Sequence, residues 1–231
     1  MEPEKDKAEA QIITIDGPAG AGKSTVSKML ARKLNFLYLD TGAMYRAVAL
    51  RARREGVDPN DEGGLEKLCQ RLEISFQEDR EGQRVICQGE DVTEGIRDPE
   101  IGWMASTVSM KRPVREALVR MQRNIGSREK IVAEGRDTGT VVFPRAKYKF
   151  FLDADPQERA RRRFRELAAR GLAVNLEEIK REMKERDEQD SSRQLAPLRP
   201  AEDARMIEST GLTPEEVVER ILEIIKENSH L

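Results

Sequence analysis

The sequence is poor in aromatic side chains, cysteine and histidine. Only 4% of its 231 residues are aromatic, and it has two cysteines and one histidine. Cys69 and Cys87 are too few for a disulfide-stabilised secreted protein of this size, so we expect reduced thiols in a cytoplasmic protein. The single histidine, His230, lies next to the C-terminal residue and has no place in the chemistry inferred below.

Long apolar segments are also missing. No run of about 18 apolar residues occurs, and residues 1–10 lack the apolar stretch of a signal peptide. We therefore expect a soluble protein with no membrane partner, preceded by a disordered tail over residues 1–10. The hydrophobic residues, 38% of the chain, are nevertheless spaced as strands and helix stripes, which excludes disorder for most of the length.

Charge of one sign is not in excess. The 41 Lys and Arg residues nearly balance the 43 Asp and Glu residues, leaving a net charge of −2. Such a chain has no overall field that attracts nucleic acid, so we expect no nucleic-acid partner. Any site for an anion must come from a local cluster of basic side chains.

Short apolar runs alternate with helical patterns along the chain. We predict four buried strands and a weaker fifth one: Ile12–Ile15, Phe36–Leu39, Ile131–Ala133, Tyr148–Leu152 and Arg205–Glu208. Strands that alternate with helices indicate an α/β fold, in which helices cover both faces of a parallel sheet. Two helix starts are well marked, Asp155-Pro156 and the capping box from Thr213 to Glu216.

The interval between the second and third parallel strands is too long for a single crossover helix. It holds roughly ninety residues, which predicts an inserted subdomain. Within it, Glu73–Gln77 and Gln83–Cys87 have the alternating pattern of a hairpin, with a turn over 79–82. Helical patterns follow near 98–108 and 113–126.

A glycine-rich segment directly follows the first predicted strand. Its residues match G-x-x-x-x-G-K-[ST] and are followed by a predicted helix from Ser24 to Leu34: Gly17, Pro18, Ala19, Gly20, Ala21, Gly22, Lys23, Ser24 and Thr25. In such a P-loop, backbone N–H groups and the helix N-terminus bind phosphate oxygens, the lysine reaches the β- and γ-phosphates, and the hydroxyl of Ser24 can hold Mg²⁺. The sequence therefore predicts a protein that binds a nucleoside triphosphate.

The P-loop leaves the fate of the phosphate open. No asparagine is followed by lysine, so the guanine signature of regulatory GTPases is absent, and a Leu-Ser-Gly-Gly transporter signature is absent too. Small-molecule and nucleotide kinases remain. Asp153 ends an apolar strand, as does the acid that helps to hold magnesium in many ATPases, but it is equally consistent with a helix cap.

Six arginines are crowded into one predicted helix and the turn after it: Arg159, Arg161, Arg162, Arg163, Arg165 and Arg170. A charge run is usually a solvated face. Beside a phosphate site, a mobile lid that closes on ATP is an equally good interpretation, because guanidinium groups pair well with phosphoryl oxygens. We take Arg161 and Arg162 as the candidate ATP contacts of this lid.

Three further polar clusters follow in order along the chain. Two come after the second and third predicted strands, as Asp40–Arg46 and Glu134–Thr140, and a third, Glu185–Arg193, precedes Ala196-Pro197-Leu198. Ligands of open parallel sheets bind beyond the carboxyl ends of the strands, which is where the first two clusters fall. With the P-loop, this set of motifs resembles the bacterial cytidylate kinase family over nearly the whole chain, from about Gln11 to Lys226.

The resemblance implies a fold and a reaction. The fold is a P-loop NTPase three-layer fold with a five-stranded parallel core, an insert that binds the nucleoside monophosphate, and a short lid. On this chain it implies one domain over 11–228, with the core at 11–40, 127–154 and 195–228, the insert at about 41–126 and the lid at about 155–175. The reaction is transfer of the γ-phosphoryl group of ATP to CMP or dCMP, with Mg²⁺, in a protein expected to be a monomer.

The resemblance also implies the site residues. The catalytic positions are Lys23 and Arg186, and the acceptor-binding positions are Thr41, Arg46, Ser106, Arg115, Arg136, Asp137, Asp190 and Arg193. Arg46 and Arg136 correspond to the clamp on the acceptor phosphate, and Asp190 to the sugar contact. Ser106 is chosen over Thr107 and Ser109 only by its local match to the family pattern.

The implied base pocket suits cytosine in chemical terms. Cytosine offers an exocyclic N4 donor beside two acceptors, so its pocket needs a carboxylate and donors, which Asp137, Ser106 and Arg115 supply. Uracil reverses the pattern and leaves these groups unmatched. Two alternatives stay open from the residues alone: a P-loop kinase for UMP, AMP or a non-nucleotide alcohol, and a regulatory or nucleic-acid-binding P-loop protein without acceptor-dependent turnover.

Overall fold

A computed structural model of the chain describes residues 11–79 and 82–227. The expected tail over 1–10, the centre of the predicted hairpin turn and His230 lie outside the described residues. The chain divides into two compact units. Within the described residues, we call 11–38 with 126–227 the core unit and 39–79 with 82–125 the insert unit.

The described residues contain eight strands, numbered in chain order: β1 (Ile12–Asp16), β2 (Leu37–Asp40), β3 (Ile74–Asp79), β4 (Gly82–Cys87), β5 (Glu90–Asp91), β6 (Ile131–Gly135), β7 (Tyr148–Asp153) and β8 (Arg205–Glu208). They also contain eight α-helices: α1 (Lys23–Leu34), α2 (Thr41–Glu55), α3 (Glu62–Gln70), α4 (Pro99–Val108), α5 (Arg112–Gly126), α6 (Pro156–Ala169), α7 (Leu176–Ser192) and α8 (Pro214–Glu227). A π-helical turn, Thr138–Val142, follows β6.

The core unit is built on a five-stranded parallel sheet with the strand order β2-β6-β1-β7-β8. Strand β1 is central: Ile13 is paired with Val132 of β6 and with Tyr148 of β7. All five residues of β1 are buried, as expected for a strand covered on both faces. The predicted α/β class and the five-stranded parallel sheet are confirmed. Each predicted strand begins and ends within two residues of the observed strand.

One apolar cluster joins this sheet to α1 and α8. Its helix residues include Val26, Leu30, Val218 and Ile221, all almost completely buried. Full burial of such a side chain contributes about 1.5–3 kcal/mol. A second cluster holds α6 to α7, through Ala160, Leu167, Ile179 and Met183. The polar residues on these helices are therefore carried by well-packed elements.

Both predicted helix starts are confirmed. The carboxylate of Asp155 accepts hydrogen bonds from the backbone N–H groups of Gln157 and Glu158 at the start of α6. At α8 the capping box is complete, because the N–H of Glu216 donates to the Thr213 hydroxyl and the N–H of Thr213 donates to the Glu216 carboxylate. A helix N-cap of this kind contributes about 1 kcal/mol.

The insert unit has its own small antiparallel sheet, β3-β4-β5. The predicted hairpin is confirmed, with Phe76 opposite Val85. Cys69 and Cys87 are buried free thiols, in agreement with the prediction of reduced cysteines. Across residues 11–79 and 82–227, no helix has the length and apolar character needed to cross a membrane.

Candidate active site

The P-loop connects β1 to α1 through glycines with positive φ angles. Gly17, Gly20 and Gly22 have φ angles of 146°, 74° and 92°. A Cβ atom on Gly17 would lie 2.0 Å from the carbonyl oxygen of Leu152 in β7. The loop therefore runs directly against a neighbouring strand, and only glycine fits at this position.

Lys23 is folded back over the P-loop. Its ammonium group is buried and donates a hydrogen bond of 2.6 Å to the carbonyl oxygen of Pro18. Burial lowers the pKa of Lys23 well below its ordinary value, and the charge of Arg136 lowers it further. An anion next to this ammonium favours its charged form. The environment of Lys23 is therefore suited to phosphate oxygens.

The protein groups next to Lys23 suit a Mg²⁺ ion that takes most of its ligands from a bound nucleotide. In the described part of the chain, no three His, Cys, Asp or Glu side chains are grouped as a metal site. Ser24 is exposed at the start of α1, so its hydroxyl can act as a single protein ligand beside phosphate oxygens and water. The carboxylate of Asp153 accepts from the N–H of Ala154 and lies 3.6 Å from Arg159, while Asp155 caps α6.

Two arginines of α6 bind carbonyl groups of the P-loop. Arg159 donates to the carbonyl oxygen of Ala19 at 3.2 Å, and Arg162 donates to that of Ala21 at 3.3 Å. Arg162 also donates to Ser209 at the end of β8, through the hydroxyl at 3.0 Å and the carbonyl at 2.7 Å. Arg161, the other predicted ATP contact, is exposed and lies 3.8 Å from Glu158.

The role of Arg159 was not predicted from the sequence. Its guanidinium is buried and links three elements, because it also donates to the carbonyl of Ala154 and to the carboxylate of Asp187 on α7, at 3.0 and 2.5 Å. A signal was present: Arg159 and Arg162 are three residues apart and therefore lie on the same face of the helix. That face contacts the P-loop, whereas Arg163 and Arg165 pair with glutamates of their own helix.

Asp190, on α7, is at the centre of a cluster of buried charged side chains. Its carboxylate accepts from the Nε of Arg136 at 2.8 Å and from Arg193. Burial alone raises the pKa of Asp190, but Arg136, Arg193 and Arg186 outweigh this and hold the pKa below its ordinary value. The core unit thus brings four predicted acceptor-site or catalytic residues into one electrostatic cluster.

Two other buried acids lie at the ends of strands in the core unit. Asp16, at the end of β1, accepts hydrogen bonds from Thr138 and Gly139, directly after the predicted base contact Asp137. Glu134, near the end of β6, accepts from the hydroxyl of Tyr38. Neither acid was predicted as a site residue, although Asp16 directly precedes the P-loop and Glu134 begins the cluster Glu134–Thr140.

The insert unit positions Arg46 through Asp40. The Asp40 carboxylate caps α2 by accepting from the N–H of Ala43 at 2.8 Å, and it pairs with Arg46 at 3.1 Å. Thr41 is buried in the first turn of the same helix. One carboxylate therefore fixes both the start of α2 and the orientation of a predicted phosphate ligand. Asp40 lies in a predicted motif, but no role was predicted for it from the sequence.

Ser106 and Arg115 are joined through Ser109. The Ser109 hydroxyl donates to the carbonyl oxygen of Ser106 at 2.7 Å, and Arg115 donates to the carbonyl oxygen of Ser109 at 3.3 Å. The guanidinium of Arg115 also lies over the ring of Tyr45, 5.9 Å from its centre. These contacts connect two of the predicted base contacts within the insert unit, and the choice of Ser106 over Thr107 and Ser109 stays a prediction.

Comparison with known proteins identifies the family. A family model described as cytidylate kinase matches residues 13–227. A cytidylate kinase of Geobacter sp. (strain M21) is 53% identical over 216 residues, covering 94% of this chain and 93% of that protein. The cytidylate kinase of Vibrio cholerae is 49% identical over 215 residues, covering 93% and 96%.

A solved structure shows the same fold at low sequence identity. An uncharacterized protein from Eubacterium ventriosum is 14% identical, with a TM-score of 0.52 and coverage of 94% of this chain and 98% of that one. The sequence matches extend over the P-loop, the insert unit and α7, so they include all four motifs that carried the predicted resemblance. That prediction is confirmed: the chain belongs to the cytidylate kinase family.

Proposed function

We propose that this protein transfers the γ-phosphoryl group of ATP to CMP or dCMP, giving ADP and CDP or dCDP, in pyrimidine nucleotide metabolism. The observation that carries the proposal is the P-loop with a buried Lys23, in a chain about half identical to proteins named cytidylate kinase. The protein is accordingly a phosphotransferase. The alternative from the sequence, a P-loop kinase for another small acceptor, is less well supported by these relatives.

On the donor side, the P-loop residues and Lys23 hold the phosphates of ATP. The backbone N–H groups of Gly20, Gly22 and the first turn of α1 are the expected donors. Arg162 is held between Ala21 and Ser209, which places a guanidinium at the edge of the loop. Mg²⁺, held by the Ser24 hydroxyl and phosphate oxygens, supplies charge neutralisation when bound.

On the acceptor side, we propose that Arg46 and Arg136 bind the phosphate of CMP. Each is oriented by one aspartate, Asp40 or Asp190, which fixes the guanidinium before the nucleotide binds. Asp137, Ser106 and Arg115 form the cytosine contacts. Asp190 is proposed to contact the sugar, and Thr41 and Arg193 are proposed to complete the acceptor set.

The reaction needs no general base. The attacking oxygen of the acceptor phosphate is already an anion, so positioning and charge neutralisation carry the rate. Lys23 and Arg186 are the proposed catalytic residues, because both carry positive charge that can balance the transferring group. Closure of the segment 155–175 over the nucleotides is proposed to exclude water that competes for ATP. Action as a cytoplasmic monomer stays a prediction.

An acceptor panel tests the function. ADP release from ATP is measured with CMP, dCMP, UMP, AMP and a non-nucleotide alcohol, each with Mg²⁺. We expect turnover with CMP and dCMP to exceed that with every other acceptor by at least about a hundredfold, the discrimination available to a pocket that hydrogen-bonds its substrate.

Lys23→Ala is the matched variant, and it should lower turnover with CMP by about a hundredfold or more. Equal turnover with UMP and CMP, or a Lys23→Ala variant with unchanged turnover, would contradict the proposal.

A further inference from the structure

Asp16 is a buried carboxylate at the junction between β1 and the P-loop. It is the last residue of β1, immediately before Gly17, and it is only 4% exposed. One carboxylate oxygen accepts from the N–H of Thr138 at 2.9 Å and from the Thr138 hydroxyl at 2.8 Å. The other oxygen accepts from the N–H of Gly139 at 2.7 Å.

These three bonds hold the segment that carries two predicted acceptor contacts. Thr138 and Gly139 begin the π-helical turn directly after Arg136 and Asp137. A backbone hydrogen bond connects the turn to this segment, because the N–H of Val141 donates to the carbonyl oxygen of Asp137 at 2.8 Å. Fixing the turn therefore fixes the backbone from which both acceptor contacts project.

The π-helical turn packs closely against the sheet at Gly139. A Cβ atom on Gly139 would lie 2.9 Å from the hydroxyl oxygen of Thr14, 3.3 Å from the Asp16 carboxylate and 3.4 Å from the Cδ of Lys149. The ammonium group of Lys149 is engaged elsewhere, by Asp203 at 2.8 and 2.9 Å. Asp16 therefore relies on hydrogen bonds from the turn rather than on the charge of Lys149.

The P-loop has separate anchors. Gly17 packs on Leu152, Lys23 binds Pro18, and the guanidinium groups of α6 bind the carbonyls of Ala19 and Ala21. None of these contacts is a hydrogen bond to the Asp16 carboxylate, which acts on the P-loop only through its charge near Lys23. Loss of the Asp16 hydrogen bonds is thus expected to disturb the acceptor segment before it disturbs ATP binding.

From this geometry we propose that Asp16 is a positioning residue for the acceptor nucleotide, which holds the turn after Asp137 so that Arg136 and Asp137 meet CMP in a fixed orientation. The inference rests on the proposed function. Asp16 itself touches neither nucleotide in this scheme; it acts through the backbone of Thr138 and Gly139.

The environment of Asp16 also makes this restraint sensitive to pH. Burial raises the pKa of Asp16 to about 6, against the lowering effect of the bonds from Gly139 and Thr138, and the charge of Asp137 raises it further. The cation of Lys23 also interacts with Asp16. A proton on the carboxylate converts one acceptor oxygen to a hydroxyl, which opposes the N–H of Gly139. The restraint is therefore intact above about pH 6 and weakened below it.

Asp16→Asn is the test, because the amide keeps the shape but presents an NH₂ group to one of the donors of the turn. We expect the KM for CMP to rise about tenfold, as for the loss of a hydrogen bond to a charged group. The KM for ATP should stay within about twofold. General weakening of the fold does not produce this split, because it lowers the amount of active enzyme without selecting one substrate.

The pH profile supplies a second readout. The phosphate of CMP titrates near pH 6 as well, so the informative quantity is the ratio of kcat/KM for CMP between wild type and Asp16→Asn, in which the titration of the substrate cancels. We expect the ratio to fall from about ten at pH 7.5 towards one at pH 5. A ratio that does not change with pH, or a KM for ATP that rises equally, would overturn the proposal.

Thr138 provides a variant pair if Asp16→Asn does not fold. Thr138→Val removes only the hydroxyl bond and should raise the KM for CMP about threefold, and Thr138→Ser should restore it. An unchanged KM in Thr138→Val overturns the proposal. The two proposals fail differently: wild type that does not phosphorylate CMP contradicts the proposed function, whereas active wild type with an unaltered Asp16→Asn contradicts only the role of Asp16.

Discussion

Removal of the Asp190 carboxylate takes from two guanidinium groups in the interior the acid that each of them binds directly. The side chain of Asp190 is 1% exposed, and those of Arg193 and Arg136 are 8% and 19% exposed. Water therefore cannot take over the lost interaction. Breaking a buried ion pair by deleting one partner costs about 3–5 kcal/mol, and we expect Asp190→Ala to lower the free energy of unfolding by an amount in this range.

This loss is a large fraction of the free energy of unfolding of a typical domain, about 5–15 kcal/mol. Urea unfolding at pH 7, followed by far-UV circular dichroism, measures it directly. Inorganic phosphate is a dianion that can replace part of the missing charge. Saturating phosphate should therefore stabilise Asp190→Ala more than it stabilises the wild type.

Glu188→Ala is the matched control on the same helix. Glu188 is exposed and lies 3.9 Å from Lys184, so its removal should change the free energy of unfolding by less than about 0.5 kcal/mol. If Asp190→Ala lost less than about 1 kcal/mol, or no more than Glu188→Ala, the charge cluster would not be the stabilising feature inferred here.

Two further predictions concern the donor and base contacts. Gly17→Ala should abolish detectable ATP binding in a calorimetric titration, because its Cβ would overlap the carbonyl oxygen of Leu152; Gly56→Ala, at a positive φ angle but with no atom within 4 Å of the added carbon, is the control and should bind ATP normally. Asp137→Ala should reduce the preference for CMP over UMP, measured as the ratio of kcat/KM values, by at least about tenfold; an unaltered ratio would assign the carboxylate another role.

The sheet and the family were predictable from the sequence because both depend on local patterns. The strands of the core unit are continuous apolar runs, and the helices start at residues such as Asp155 and Thr213 whose side chains cap the backbone directly. The P-loop is equally local, since the path of the chain around its glycines is set within a few residues. These features need no knowledge of what packs against them.

Partners that are distant in sequence were not predictable. Asp16 and Thr138 are 122 residues apart, and Arg159 and Asp187 are 28 apart. The helical spacing groups Arg159 with Arg162, but it does not show which arginines of the helix become buried. Burial makes the distinction, because a buried guanidinium must find acceptors whereas an exposed one is satisfied by water.

The sequence by itself thus determined the order of the elements, the phosphate loop and the residue types suited to two nucleotides. The tertiary structure decided which charges lie in the interior and which groups hold them. Asp190 is fixed by Arg136 and Arg193, and the turn after Asp137 is fixed by Asp16. The reason is that the strength of a charge interaction depends on its distance and on its exclusion from water, and both are set only when the sheet brings remote segments together.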